Sequence, residues 1–427
     1  MSALYERFPA LQSVDYRRLF MAGFFTAAAR WAMLLAQGWL VFELTGSAAW
    51  VGAATFAGMF PSVFAGPVAG AIADRVDRRL QLMAATGLAI VPAVMLAVLT
   101  MTDLIVVWHV VLLALLVGIA QASAVPATQA LIANVVPREH LLNAIALSSI
   151  AQFGSRVVGP LFGAALLAAL GTASIFVLSS VLLVISFFAV TRVRFRRPLD
   201  RAALSAFGVI RSIGADLREA VAYVESDRRV AIVLGLVTLH CGLTMAFDSM
   251  MPTLSTMVGG ARQTYSAILV SIGAGAMLGT ISLSLLRAPR VQGHALAIAG
   301  FGSGVAMVLL SLATSPLLVV LAAAGTGATQ ASYMALSSTY IAQVVPDVLR
   351  GRVMALYLMM AAGNMSLLNF GFGWASDIVG VRPLLFIPGV IWIGVFLLAT
   401  VGLRDVRYLL RRGGFLELEA PLPVAVA

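Results

Sequence analysis

Long apolar runs separated by short polar breaks set the pattern of this chain. Reading each run between its Gly, Pro, Ser or charged breakers predicts twelve helices, over about 17–44, 47–73, 80–101, 104–134, 140–169, 172–191, 229–258, 263–286, 293–313, 316–345, 351–376 and 383–403. Each comes to the roughly 20 mostly apolar residues that a helix needs to cross a bilayer. The stretch 192–228 breaks the pattern. It opens on Arg192-Val-Arg194-Phe-Arg196-Arg197-Pro198. Phe207, Ile210, Ile213, Leu217, Val221 and Val224 then recur every three or four residues, with Arg211, Asp216, Arg218 and Glu219 between them. That spacing predicts an amphipathic helix. It is expected to lie as a tether on the membrane surface, with a regulatory role as the alternative. The chain after Arg412 carries few turn or pattern signals, and no element is predicted there.

The pattern also repeats. Ile132-Ala-Asn-Val-Val-Pro137 returns as Ile341-Ala-Gln-Val-Val-Pro346, an offset of 209 residues. The same offset carries Gly66 and Gly70 onto Gly275 and Gly279, and Arg78 onto Arg287. Asp74 has no such partner, because Leu occupies position 283. Two matches at one offset predict two parallel halves of six spans each. The expected organisation is an all-α integral membrane protein: a six-helix bundle at 1–191, a linker at 192–228, a second bundle at 229–403 and a tail at 404–427.

Composition supports a membrane chain and excludes a soluble one. Hydrophobic residues make up 61% and charged residues 11%, against about 25% charge in an ordinary soluble domain. The net charge is +10, and all 28 basic residues are Arg. A basic balance can signal nucleic acid, but these arginines lie in short connections between apolar runs. With the N-terminus placed inside, 24 of the 28 fall in inner segments and only Arg262 and Arg382 outside, as expected of cytoplasmic loops. Arg30 and Arg156 lie within spans. This asymmetry requires an even number of spans and two cytoplasmic termini. The apolar run after the polar N-terminus is too long for a cleaved signal peptide and reads as a retained span. The single cysteine, Cys241, excludes an internal disulfide and a cysteine-based zinc site. Gly302-Ser-Gly304 and Gly325-Thr-Gly327 lie inside apolar spans with no preceding strand, so they are not nucleotide loops. No Walker sequence, catalytic Ser/His/Asp group or metal-ligand cluster stands out, so neither an enzyme nor a cofactor is expected.

The most informative polar break is Gly66-Pro-Val-Ala-Gly70-Ala-Ile-Ala-Asp74-Arg75-Val-Asp77-Arg78-Arg79-Leu80, in which six residues carry five charges. Within hydrocarbon each would cost roughly 2.5–3.5 kcal/mol or more, so the loop sits at a bilayer edge. Gly70, Asp74, Arg75, Arg78 and Arg79 form G-x-x-x-D-R-x-x-R-R. This resembles the loop between helices 2 and 3 of the major facilitator superfamily, with Asp77 where that superfamily usually has Gly. In the fifth span, Gly154-Ser-Arg156-Val-Val-Gly159-Pro160-Leu-Phe-Gly163 resembles the G-P-x-x-G antiporter motif of superfamily exporters, with Ser155 where Gly is frequent. Arg30-Trp31, Gln37-Gly-Trp39-Leu-Val-Phe-Glu43 and Arg350-Gly-Arg352-Val-Met-Ala-Leu356 resemble the exporter branch that includes the enterobactin exporter and macrolide efflux proteins. The resemblance implies a secondary active transporter of two bundles, a proton-coupled exporter (antiporter) that works by alternating access. The partners it implies are a small organic molecule such as a siderophore-like metabolite or drug, protons and the bilayer of the cell's inner membrane. A monomer is expected.

Three residue groups are the candidates for that chemistry. Asp74 at the inner end of span 2 is expected to latch onto the start of span 11, through that helix's N-terminus and Arg350 or Arg352. The alternative is that Asp74 through Arg79 only fix topology. Charges within spans are functional candidates by default. Arg30 and Arg156, with Gln37 nearby, are expected to contact an anionic or zwitterionic substrate; pairing with polar neighbours is the alternative. Asp248, with His240 or Glu43, is expected to carry a coupling proton. Gly159, Pro160 and Gly163 are expected to bend span 5 and let it approach a neighbour. Gln121 and Gln129 could line a polar route, though helix packing is the simpler role. Two rival readings remain at this point: an importer or facilitator of the same fold, and a membrane sensor or scaffold that transports nothing.

Overall fold

The computed structural model describes residues 8–73, 77–194, 206–286 and 288–414, and every regular element among them is helical. The first six spans are α1 (Val14–Thr45), α2 (Ala48–Ala73), α3 (Arg78–Met101), α4 (Val107–Val135), α5 (Leu141–Leu170) and α6 (Thr172–Thr191). The linker forms α7 (Ala206–Ser226), and α8 (Arg228–Thr244) with α9 (Met251–Val258) makes the seventh crossing. The rest are α10 (Ala261–Ser284), α11 (Pro289–Leu312), α12 (Pro316–Val344), α13 (Asp347–Val379), α14 (Val381–Gly402) and a terminal α15 (Arg404–Arg412). Eleven segments are long and apolar enough to cross a membrane by themselves. Helix α2, apolar over Ala48–Phe64, supplies the twelfth.

Local chemistry explains where the helices begin. The Ser13 side chain accepts from the Tyr16 amide at the start of α1, and Gly46 ends that helix in the left-handed region at φ 65°. Asp77 is the N-cap of α3 and accepts from the Arg79 amide at 2.9 Å. Its φ of −56° needs no glycine, so the residue that departs from the superfamily pattern has a capping role here.

The two halves pack by one scheme. Helix α1 packs on α5 and α6, α4 on α2 and α3, and α3 on α6. In the second half α8 packs on α13 and α14, α12 on α10 and α11, and α11 on α14. These are equivalent pairs under a pseudo-twofold. The contacts between halves obey the same symmetry: α2 on α13, and α5 on α10. The sequence offset is kept in detail, since Val107 and Val135 bound α4 while Pro316 and Val344 bound α12. Glycines set the closest approaches within a half. A Cβ on Gly275 would collide with the Ala324 carbonyl, and one on Gly279 would lie 2.5 Å from that of Ala328.

The apolar core divides by depth. At the end of the molecule away from the chain termini, one continuous core draws on both bundles, including Leu35, Phe176, Met250, Ile268 and Leu385. At the terminal end there are two separate cores. One belongs to the first bundle around Tyr16, Leu131 and Val190. The other belongs to the second bundle around Tyr333, Tyr357 and Trp392.

One expectation changes. The seventh span is not one helix: it breaks between Thr244 and Met251, with a 3-10 turn at Asp248–Met250. Pro252 in the first turn of α9 lacks an amide hydrogen. Asn369 of α13 takes up the freed backbone, accepting from the Ser249 amide at 3.0 Å while the Ser249 hydroxyl donates to the Asn369 carbonyl at 2.9 Å. The Gln330 amide likewise donates to the Thr244 carbonyl. Irregular backbone at membrane depth survives only when neighbours satisfy it in this way. The linker helix α7, predicted from its spacing, also has a partner in the fold. It packs on α13, where Asp216 and Glu219 bind Arg352. At the start of the tail, α15 buries Val406, Leu409 and Leu410 against α11, close to Gly293. The tail beyond residue 414 lies outside the described residues.

Candidate functional site

The site forms where the halves meet, and α1 supplies most of it. Gly159 lets α5 approach α1: a Cβ there would lie 2.6 Å from the Ala28 carbonyl and 2.9 Å from the Trp31 Cβ. Gly163 does the same against Leu35. Gly273 of α10 approaches the Arg156 carbonyl from the other side, where a Cβ would be 2.6 Å away. Arg156 is thereby held between the two bundles, with its guanidinium carbon 4.8 Å from the Trp31 ring centre. The Arg30 guanidinium carbon lies 5.3 Å from the same ring. One indole therefore carries two cations, a favourable contact for each, while the cations repel one another.

A cavity of about 220 Å³ opens beside them, lined by Arg30, Trp31, Gln37, Thr55, Arg156, Pro160 and Asp248, with Met245, Ile272 and Met365 among its apolar walls. Asp248 comes from the second bundle, and its carboxylate interacts electrostatically with Arg156 of the first. It can occupy that place because span 7 breaks there. Among the described residues neither Arg30 nor Arg156 makes a hydrogen bond or a close ion pair, and the buried amide nitrogen of Gln37 has no acceptor. Two guanidiniums face one carboxylate, leaving the walls one positive charge in excess.

Arg30 and Trp31 also border a second cavity of about 130 Å³ inside the first bundle, towards the terminal end. Thr26, Thr86, Gln121, Thr128, Gln129, Ser148, Gln152 and Ser186 line it. Gln121 and Gln129 thus face a cavity, where the sequence favoured a packing role.

The structure brings together Arg30, Arg156, Gln37 and Asp248, but not the suggested companions of Asp248. His240 is fully buried in the second bundle. Its Nε2 lies 3.0 Å from the Ser303 hydroxyl, and its ring lies 4.3 Å from Tyr333 and 4.9 Å from Trp392. Spacing along span 7 suggested a pair, but the break turns Asp248 to the interface and leaves His240 in an aromatic core. Glu43 sits at the end away from the termini and pairs with Arg262 of α10 at 2.5 Å, with Arg262 also over Trp39.

That contact belongs to a bolt between bundles that the sequence did not reveal. The Asp377 carboxylate of α13 accepts from the Ala48 and Ala49 amides at 2.9 and 3.1 Å and from the Ser47 hydroxyl. An acid of the second bundle therefore caps the first turn of α2. The signals were an acid at the outer end of an apolar run and a Ser before a helix start; only the fold puts them together.

At the terminal end the expected latch is only partly within view. Asp74 and Arg75 lie outside the described residues, and Gly70 lies in the last turns of α2. Arg350 pairs with Asp347 and Arg352 with the linker acids Asp216 and Glu219. Arg78 donates to the Ala130 carbonyl, and Arg79 to the Val190 and Thr191 carbonyls.

Twelve crossings in two pseudo-twofold bundles, with a charged cavity at their junction, define a transporter of the major facilitator superfamily. The chain belongs to the transmembrane secretion effector family of that superfamily, whose pattern matches residues 6–410. Over 244 residues it is 25% identical to "Macrolide efflux protein A" of Streptococcus pyogenes, a match covering 57% of this chain and 59% of that protein. The fold is similar to a crystal structure of a POT family transporter in complex with thioalcohol conjugated peptide. That likeness has a TM-score of 0.71 and 11% identity, and covers 92% of this chain and 96% of the other. It is similar also to the nucleoside transporter NupG, at a TM-score of 0.67 and 14% identity, over 90% and 98% of the two chains. Those two likenesses concern the fold alone.

Proposed function

We propose that this protein is a proton-coupled exporter of an anionic or zwitterionic small organic molecule, working by alternating access in the cell's inner membrane as a monomer. The observation that carries this is the pair of guanidiniums on Trp31 beside a cavity between the bundles, with Asp248 of the opposite bundle as the acid. A desolvated cation without acceptors is costly, so a bound anionic group that bridges Arg30 and Arg156 stabilises the site. Asp248 and that group share Arg156, which links the charge state of Asp248 to occupancy of the site. The placement of the arginines puts both termini in the cytoplasm. The divided cores then face the cytoplasm, and the single core, the Asp377 cap and the Glu43–Arg262 pair close the outer side. This is the geometry of an inward-facing state, ready to load from the cell. The name of the macrolide efflux relative supports the outward direction.

Comparing resistance and secreted metabolites between a deletion strain and its parent identifies a substrate. Everted vesicles then decide direction and coupling. Uptake of that substrate driven by an acid interior supports the proposal. Uptake only with an imposed substrate gradient refutes proton coupling, and transport into right-side-out vesicles alone refutes export.

A further inference from the structure

A second charged site lies away from the transport cavity, at the terminal end of the first bundle. Where α1, α3 and α6 come together, an open pocket of about 340 Å³ is lined by Arg18, Arg79, Thr191, Arg192, Val193 and Arg194. Part of this cluster has a local task. Arg79 donates to the Val190 and Thr191 carbonyls, and Arg18 to the Arg192 carbonyl. Two arginines thus satisfy the last carbonyls of α6, as cations at a helix C-terminus do. Carbonyls use up donors without neutralising charge. The side chains of Arg192 and Arg194 satisfy no carbonyl: they are exposed and make no hydrogen bond or ion pair among the described residues. Among the described residues two acids bind this group: Asp15 accepts from the Arg18 guanidinium at 3.0 Å and the Arg194 amide at 3.3 Å, and Asp77 accepts from the Arg79 amide at 2.9 Å. Four cations against those two carboxylates leave an excess of two positive charges at the pocket.

We propose that this pocket binds a phosphate group of net negative charge. Guanidiniums match phosphate oxygens in paired hydrogen bonds. The pocket lies at the polar ends of three spans, α1, α3 and α6, where a spanning helix meets the headgroup layer. On the topology proposed above it faces the cytoplasmic leaflet, where basic pockets between spans meet anionic headgroups. The same chemistry accepts an anionic phospholipid headgroup or free phosphate.

The test uses the full chain in a neutral detergent and measures binding of phosphatidylglycerol, phosphatidylcholine and inorganic phosphate by native mass spectrometry and thermal unfolding. Comparison is with R192Q/R194Q, with R192K/R194K, and with R411Q/R412Q as a control for general charge loss. Phosphatidylglycerol binding about 30-fold weaker in R192Q/R194Q, only partly kept in R192K/R194K, which retains charge without the paired geometry, and kept in R411Q/R412Q, supports a lipid headgroup site. Inorganic phosphate that binds alone with the same dependence on Arg192 and Arg194 supports the phosphate chemistry with the free ion as its source. Equal phosphatidylglycerol binding by wild type and R192Q/R194Q overturns the proposal, as does phosphatidylcholine binding as tightly as phosphatidylglycerol. Because no transport is measured, none of these outcomes depends on the chain being an exporter.

Discussion

Asp377→Ala tests the outer closure directly. The carboxylate accepts three hydrogen bonds at the start of α2 from the far side of the bundle interface. Removing an N-cap side chain costs about 1 kcal/mol, with an upper range near 2. Losing a negative charge at a helix N-terminus costs about 0.3–1 kcal/mol, screened here because Asp377 is exposed. On the proposed alternating-access reading these contacts exist only while the outer side is closed, so about 1–2 kcal/mol is lost from that state alone. With about 1.4 kcal/mol for each tenfold, the open-to-closed ratio rises roughly 5–30-fold. The Glu43–Arg262 pair remains and limits the shift. Spin labels at Leu170→Cys on α5 and Val379→Cys on α13 report the outer separation. Both sites are exposed, and native Cys241 is buried. The long-distance population should grow in Asp377→Ala and grow much less in Asp377→Asn, because Asn remains a good cap. An unchanged distance distribution in Asp377→Ala would refute the reasoning.

Four further outcomes are expected. Arg156→Gln and Arg30→Gln each lower substrate kcat/KM more than tenfold, and Arg156→Lys does not restore it because an ammonium lacks the planar stacking face; full activity of the Lys variant in proteoliposomes argues against the Trp31 stack. Asp248→Asn abolishes concentration driven by a pH gradient but keeps substrate exchange, and unchanged gradient-driven transport assigns the proton to another group. His240→Phe lowers Tm through loss of the Ser303 bond, by about 1 kcal/mol of stability, with coupling intact; loss of coupling at normal Tm would restore His240 as a carrier. Gly275→Val forces α10 from α12 and costs about 1–3 kcal/mol, whereas Gly235→Ala meets nothing within 4 Å and is neutral or better in the same unfolding assay.

The sequence alone determined the membrane, the twelve crossings and the twofold repeat. Hydrocarbon admits only apolar runs long enough to cross, and a duplicated half keeps its offset, so both leave a linear record. It also marked Arg30, Arg156 and Asp248, because charge within a span is costly enough to stand out. The tertiary structure decided which of these groups meet. Asp248 reaches Arg156 because the seventh span breaks just before Pro252, and Asn369, 120 residues beyond Ser249, satisfies the break. His240 lies a few residues before the break and faces the other way. Asp377 caps α2 across 329 residues of chain, a contact that no local spacing encodes. Hydrophobic length is a one-dimensional property of the chain, whereas pairing of charges and caps depends on how separate helices come to share an interface.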